Sequence, residues 1–164
     1  MTIPQFLSYV DYLVKSTEHL FRQVPPDKLD WKPTDGSFTT GQLMAHISGA
    51  IGVYCGGFIK SEWGFSSMRE RFVKNRYQPS MNVEEAIALL HEEHTRLKKS
   101  VKELSEEEFA NGEVDSPQFG GKAPRWRVVA LFIEHHINHK AELFMYLKMM
   151  GVKVNTGHLY HGLS

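Results

Sequence analysis

Apolar residues recur at helical spacing in four long stretches of this chain. Phe6, Val10, Leu13, Val14, Thr17 and Leu20 step by three and four, which predicts a helix over about Pro4–Arg22. Thr2 is placed to cap it, and Pro4 falls in the first turn, where a missing N–H does no harm. A second helix starts at Thr39 or Thr40, with either hydroxyl as N-cap, and carries Leu43, His46, Ile47, Ala50, Val53 and Tyr54 inward. A third starts after Asn82, with Glu84 and Glu85 in its first turn. Its seam of Val83, Ile87, Leu90, His94, Leu97, Val101 and Leu104 alternates four- and three-residue steps, as in a bundle. The fourth runs from about Pro124 to Met150, with Gly151 at the position that favours a left-handed residue. Its inward stripe is Val128, Phe132, His135, His139, Leu143, Tyr146 and Met150.

Between these stretches the pattern breaks. Val24-Pro25-Pro26 ends the first helix, and Asp27–Thr39 reads as a loop. Lys60–Ser80 reads as a long, partly ordered crossover rich in aromatics, a length that often serves function. Ser105–Lys122, with Asn111-Gly112 and Gly120-Gly121, reads as a loop, and Val152–Ser164 has no periodic pattern. Four helices without strand signals predict an all-α fold, a single four-helix-bundle domain over 1–164 with long crossover connections and open topology. Gly49, Gly52, Gly56 and Gly57 are poor helix formers, placed where a backbone or ligand must come close.

Composition excludes several classes. The formal net charge is zero and the basic residues do not cluster, which argues against nucleic acid. No uninterrupted apolar run approaches the length of a membrane span, and the N-terminus lacks a signal-peptide pattern. The one cysteine, Cys55, fits a reducing cytoplasmic setting. It stands nine residues from His46, about 13 Å along a helix, and reads as a buried, inert thiol.

Histidine is the chemistry-bearing residue. His135 and His139 are four apart on one helical face, and His46 lies on the inward stripe of another helix. Buried imidazoles need partners for both ring nitrogens. Three of them can hold one divalent ion and leave a position open, the catalytic arrangement of zinc. His94, on the third helix's seam, is a candidate proton carrier, a group orienting a ligand from behind, or a fourth ligand, against the alternative of a satisfied core histidine. Glu142, one turn after His139, is a candidate to orient a ligand or a water, or else to form a surface ion pair. His136 points about 100° away from its neighbours and reads as non-ligating. His91 and Glu134 read as solvated.

Two motifs carry a family resemblance. Trp31-Lys32-Pro33 with Phe38-Thr39-Thr40-Gly41-Gln42-Leu43-Met44-Ala45-His46-Ile47 resembles the start of the second helix in the DinB-like, bacillithiol-transferase-type superfamily. Trp126 with His135-His136-Ile137-Asn138-His139-Lys140-Ala141-Glu142-Leu143 resembles its fourth-helix signature. The resemblance implies a DinB-like four-helix bundle, a homodimer, and a metal site at His46, His135 and His139. It implies a divalent metal ion, zinc first, with nickel, iron or manganese also accommodated. It further implies a small-molecule substrate and two reaction types. One is conjugation of an electrophile to a low-molecular-weight thiol; the other is hydrolysis of a small amide or ester. A non-catalytic metal-binding stress protein is the third alternative.

Overall fold

The computed structural model describes residues 1–161; positions 162–164, the end of the unpatterned tail, lie outside the described residues. Four long helices form the body: α1 (Ile3–Phe21), α2 (Thr40–Lys60), α4 (Val83–Val101) and α6 (Arg125–Met149). Each of the first three begins with a reciprocal capping box: Thr2 with Gln5, Thr39 with Gln42, and Asn82 with Glu85. Each satisfies two backbone N–H groups at a helix start, where a lost cap costs about 1 kcal/mol. Helix α6 begins directly after Pro124 and is capped at Met150, followed by Gly151, whose φ of 84° is left-handed.

Helix α1 packs against α4 and α6, and α2 packs against the same two helices. Successive helices α1 and α2 therefore stand diagonally, which requires the long connection between them. The stripes meet in a core of Phe6, Phe21, Leu43, Met44, Ile47, Ile51, Tyr54, Phe58, Leu90 and Phe132. The Phe6 ring sits at its centre, 5.9 Å from Phe58, 5.3 Å from Phe109 and 6.3 Å from Phe132. Helix α2 is long and apolar enough to cross a membrane, but 72% of its apolar window is buried inside the bundle. Its hydropathy is that of a core helix. Cys55, on that helix, is buried and unpaired, and burial raises its thiol pKa.

The connections hold more order than the sequence pattern predicts. Within Lys60–Ser80 lies α3 (Met68–Arg76), capped by Ser67 Oγ, which accepts from the Glu70 N–H. No residue of α3 is buried, so it has no apolar stripe for periodicity to detect. Ser105–Lys122 is not a plain loop. It contains α5 (Glu106–Asn111), and a hairpin of β1 (Glu113–Ser116) and β2 (Gly121–Pro124) paired antiparallel, Val114 opposite Ala123. Only Val114 and Ser116 of β1 face inward, too few to register as an alternating pattern. The tail contributes α7 (Thr156–Tyr160), which packs on α1 and α6.

Two ties position the crossover. Trp63 Nε1 donates to the Asp115 carbonyl at 2.7 Å, and the Asp115 N–H donates to Ser61 Oγ at 2.9 Å. The Trp63 indole lies against Gly57, where a Cβ would come within 2.5 Å of the ring. Across the bundle end, buried Arg125 donates through Nε to the Phe58 carbonyl at 2.7 Å and through Nη1 to the Glu108 carbonyl, joining α6, α2 and α5.

Candidate metal centre

The Trp31-Lys32-Pro33 motif shapes the lip of the site. The N–H and Oγ1 of Thr40 both donate to the Trp31 carbonyl, at 2.8 and 3.1 Å, folding the loop onto the start of α2. The Trp31 ring then meets Tyr146 of α6 edge-on at 5.3 Å. Phe38, in the same loop, lies 5.1 Å from the His46 ring.

About two turns into α2, His46 faces His135 and His139 on α6. Their ring centroids are 5.1 Å (His46–His135), 4.7 Å (His46–His139) and 4.5 Å (His135–His139) apart. One ring nitrogen from each lies within 4.8 Å of the other two. His46 is buried, and the other two are half-buried. Burial holds the His46 imidazole down at about 4 and that of His135 at about 2, so both are neutral at pH 7. A neutral imidazole is the ligating form.

His135 Nε2 is buried and has no hydrogen-bond partner. Such an orphan is costly in a folded protein and is explained where an ion is its partner. His139 Nδ1 is 2.8 Å from Glu142 Oε2, which orients the ring and leaves Nε2 free. That bond is also the main reason the Glu142 carboxyl stays below its usual range. The other carboxylate oxygen accepts from Tyr146 Oη at 3.1 Å, and the Tyr146 hydroxyl also reaches the Phe38 carbonyl at 3.2 Å. A carboxylate behind a ligating histidine is the common outer-shell arrangement of metal sites. The donor set, three imidazole nitrogens with one ring supported from behind, fits a divalent ion of the zinc or nickel type.

The remaining histidines lie apart from this group. His94 is not brought to it: its Nε2 is 2.8 Å from Asp11 Oδ1 on α1. The α4 seam faces α1 as well as α2, and at the level of His94 the neighbour is α1. His136 points away from the cluster and is fully buried, bonded to Thr17 Oγ1 at 2.8 Å. His91 pairs with Glu18 at 2.8 Å on the surface. Sequence reasoning missed Lys140, which is 3% exposed with no carboxylate partner among the described residues. It also missed Arg71 of α3, whose guanidinium lies 5.3 Å from the Tyr54 ring and 5.5 Å from that of Phe65.

A cavity of about 270 Å³ opens beside His46, walled by Ala50, Val53, Trp63 and Phe65 and edged by Arg71 and Gln78. It is apolar inside and has no carboxylate in its lining.

The chain matches the family model described as the DinB superfamily over residues 11–143. It is 25% identical over 136 residues to the Bacillus subtilis protein YjoA, covering 82% of each chain. The crystal structure of that DinB-like protein superposes with a TM-score of 0.67 at 21% identity, over 90% of this chain and 92% of its own. A DinB-like protein from Bacillus cereus superposes at 0.73 with 20% identity, over 94% and 96%. A family member from Shewanella denitrificans gives 0.59 at 14%, over 99% and 90%.

Proposed function

The chain belongs to the DinB superfamily, and from that premise we propose a metal-dependent enzyme that conjugates a small electrophile to a low-molecular-weight thiol in a reducing cytoplasm. His46, His135 and His139 would hold the ion, zinc in the first instance, and the working unit would be a homodimer. When bound, a divalent ion in such a site acts as a Lewis acid and lowers the pKa of a thiol or water at its open position.

The protein's own contribution is orientation and exclusion of water. Glu142 fixes the His139 ring through Nδ1 and is itself held by Tyr146. Phe38 covers the His46 ring. The walls Val53, Trp63 and Phe65 supply an apolar bed for the electrophile beside His46.

The observation that carries the choice of reaction is the carboxylate-free lining of that cavity. Hydrolysis calls for a general base within hydrogen-bond reach of the attacking water. The carboxylate bonded to the histidine group, Glu142, is already engaged by His139 and Tyr146. Thiol transfer asks for less, since the nucleophile arrives acidic enough to ionise once its pKa is lowered. Hydrolysis through Glu142 stands as the second reading, because Glu142 is the carboxylate bonded to a candidate ligand.

Elemental analysis of untagged protein should give about one divalent ion per chain. His46→Ala, His135→Ala and His139→Ala should each abolish most of it, and His94→Ala should retain it. A screen of thiols against an aromatic electrophile should then show metal-dependent loss of free thiol. Metal retained in two of the three ligand variants would overturn the site. Full occupancy with no conjugation, but with ester or amide cleavage lost in Glu142→Gln, would replace transfer by hydrolysis. Occupancy with neither activity would leave a metal-binding protein.

A further inference from the structure

We propose that the cavity beside His46 is a subsite for an organic acid, whose carboxylate is held by Arg71 while its apolar body lies against Val53, Trp63 and Phe65.

Arg71 has no carboxylate partner among the described residues, unlike its helix neighbour Lys74, which is tied to Glu70 at 2.8 Å and to the Gly64 carbonyl at 2.5 Å. Arg71 is half-buried and held in place rather than waving in solvent. Its guanidinium stacks over Tyr54 and Phe65, and Nη2 lies 3.4 Å from the Tyr54 hydroxyl. Stacked between rings, the planar fork keeps its orientation and most of its five donors free. That is the geometry that recognises a carboxylate with two parallel hydrogen bonds.

The position of Arg71 relative to the histidines makes the anchor useful. The Tyr54 ring under it lies 5.2 Å from the His135 ring. The guanidinium is therefore one aromatic ring away from His135, and it lines the same cavity as His46. Gly49 lines that cavity, and a Cβ built there meets nothing within 4 Å, so the floor is open. An acid seated by its carboxylate on Arg71 would lay its body along the apolar wall toward His46.

The inference rests on the metal reading only for the direction in which the bound acid points. The same carboxylate could belong to the electrophile or to the thiol donor. The probes are benzoate, which has no thiol, and 3-mercaptopropionate, which has one, titrated by ligand-detected NMR into metal-free and zinc-loaded protein. Benzoate should bind saturably to both forms, and Arg71→Gln should weaken it at least tenfold. Arg71→Lys should recover part of the loss, because the charge returns without the fork. Benzamide, the neutral isostere, should not distinguish wild type from Arg71→Gln. If zinc loading strengthens 3-mercaptopropionate more than benzoate, the subsite holds the thiol donor; equal strengthening assigns it to the electrophile. Equal benzoate affinity in wild type and Arg71→Gln, or no saturable binding, overturns the subsite whatever the metal content. Arg71-dependent benzoate binding in a protein that takes up no zinc would uphold the subsite and sink the metal reading.

Discussion

Lys140 brings an ammonium into the interior with only neutral acceptors to meet it. Its Nζ donates to Ser16 Oγ at 2.9 Å and to the Leu159 carbonyl at 3.0 Å, fastening α7 to the bundle. Burial lowers its pKa from 10.5 to about 8. A lysine whose folded pKa is depressed destabilises the fold fully below that value. Between about pH 8 and 10.5 the unfolded chain binds more protons, so this group's contribution to stability rises with pH across that window. Tyr146 acts oppositely above pH 10, because its folded pKa is pushed up to about 12. Lys140→Met keeps the aliphatic stem and removes the buried charge, at the cost of its two neutral hydrogen bonds to Ser16 and Leu159. It should raise stability at pH 7, and its advantage over wild type should shrink as the pH goes from 8 to 9.5. Urea denaturation of both proteins at three pH values measures this, and an advantage that does not change with pH would refute it. The motif containing Lys140 was visible in the sequence, but its burial was not. The stripe through His135 and His139 claimed the inward direction, and residue 140 lies 100° further round, facing α1 and α7 rather than α2.

At the scale of elements, α2 separates glycines that hold space from glycines that fill it with a neighbour. Gly57 lies under the Trp63 indole and Gly56 under the Glu62 carbonyl, whereas Gly49 faces the open cavity. Gly49→Ala should therefore stabilise the protein by up to about 1 kcal/mol, the ordinary helix-propensity gain. Gly57→Ala must displace the indole that anchors the crossover through Asp115. It should destabilise by about 1–3 kcal/mol, as overpacking does. Thermal denaturation of the two variants decides it, and equal shifts would show that the Trp63 contact carries no weight. The same contrast explains what the sequence could show of the fold. The long helices were legible because each has an apolar stripe and, in three cases, a capping pair at its start. Helix α3 was not, since a nine-residue helix with no buried face has no stripe; its trace in the sequence was Ser67 followed three residues later by Glu70. That omission hid Arg71, and with it one side of the cavity. The histidine group was legible for the opposite reason. Two of its histidines share one helical face, and the third sits in a motif whose tryptophan folds the loop over the site.

At the scale of the whole molecule, the three-histidine group sits on a core that closes without it. Phe6, Phe58 and Phe132 close the core without the three histidines, and the four long helices bury their stripes against one another. A domain of this size buries enough surface to fold unaided, unlike a zinc finger. Chelated protein should therefore keep its helical circular dichroism at 25 °C. It should nonetheless melt earlier, because an ion that binds only the folded chain adds about 2.7 kcal/mol at a hundredfold excess over its dissociation constant. For a domain of this size that corresponds to a shift of about 5–11 °C. The shift should vanish in His135→Ala, whose unpartnered Nε2 is the atom that the ion would satisfy. It should persist in His94→Ala, because that ring is turned to Asp11. Loss of helicity on chelation would make the ion structural. An unchanged midpoint on adding zinc to chelated wild type, with His135→Ala behaving identically, would show that the three rings meet without binding an ion.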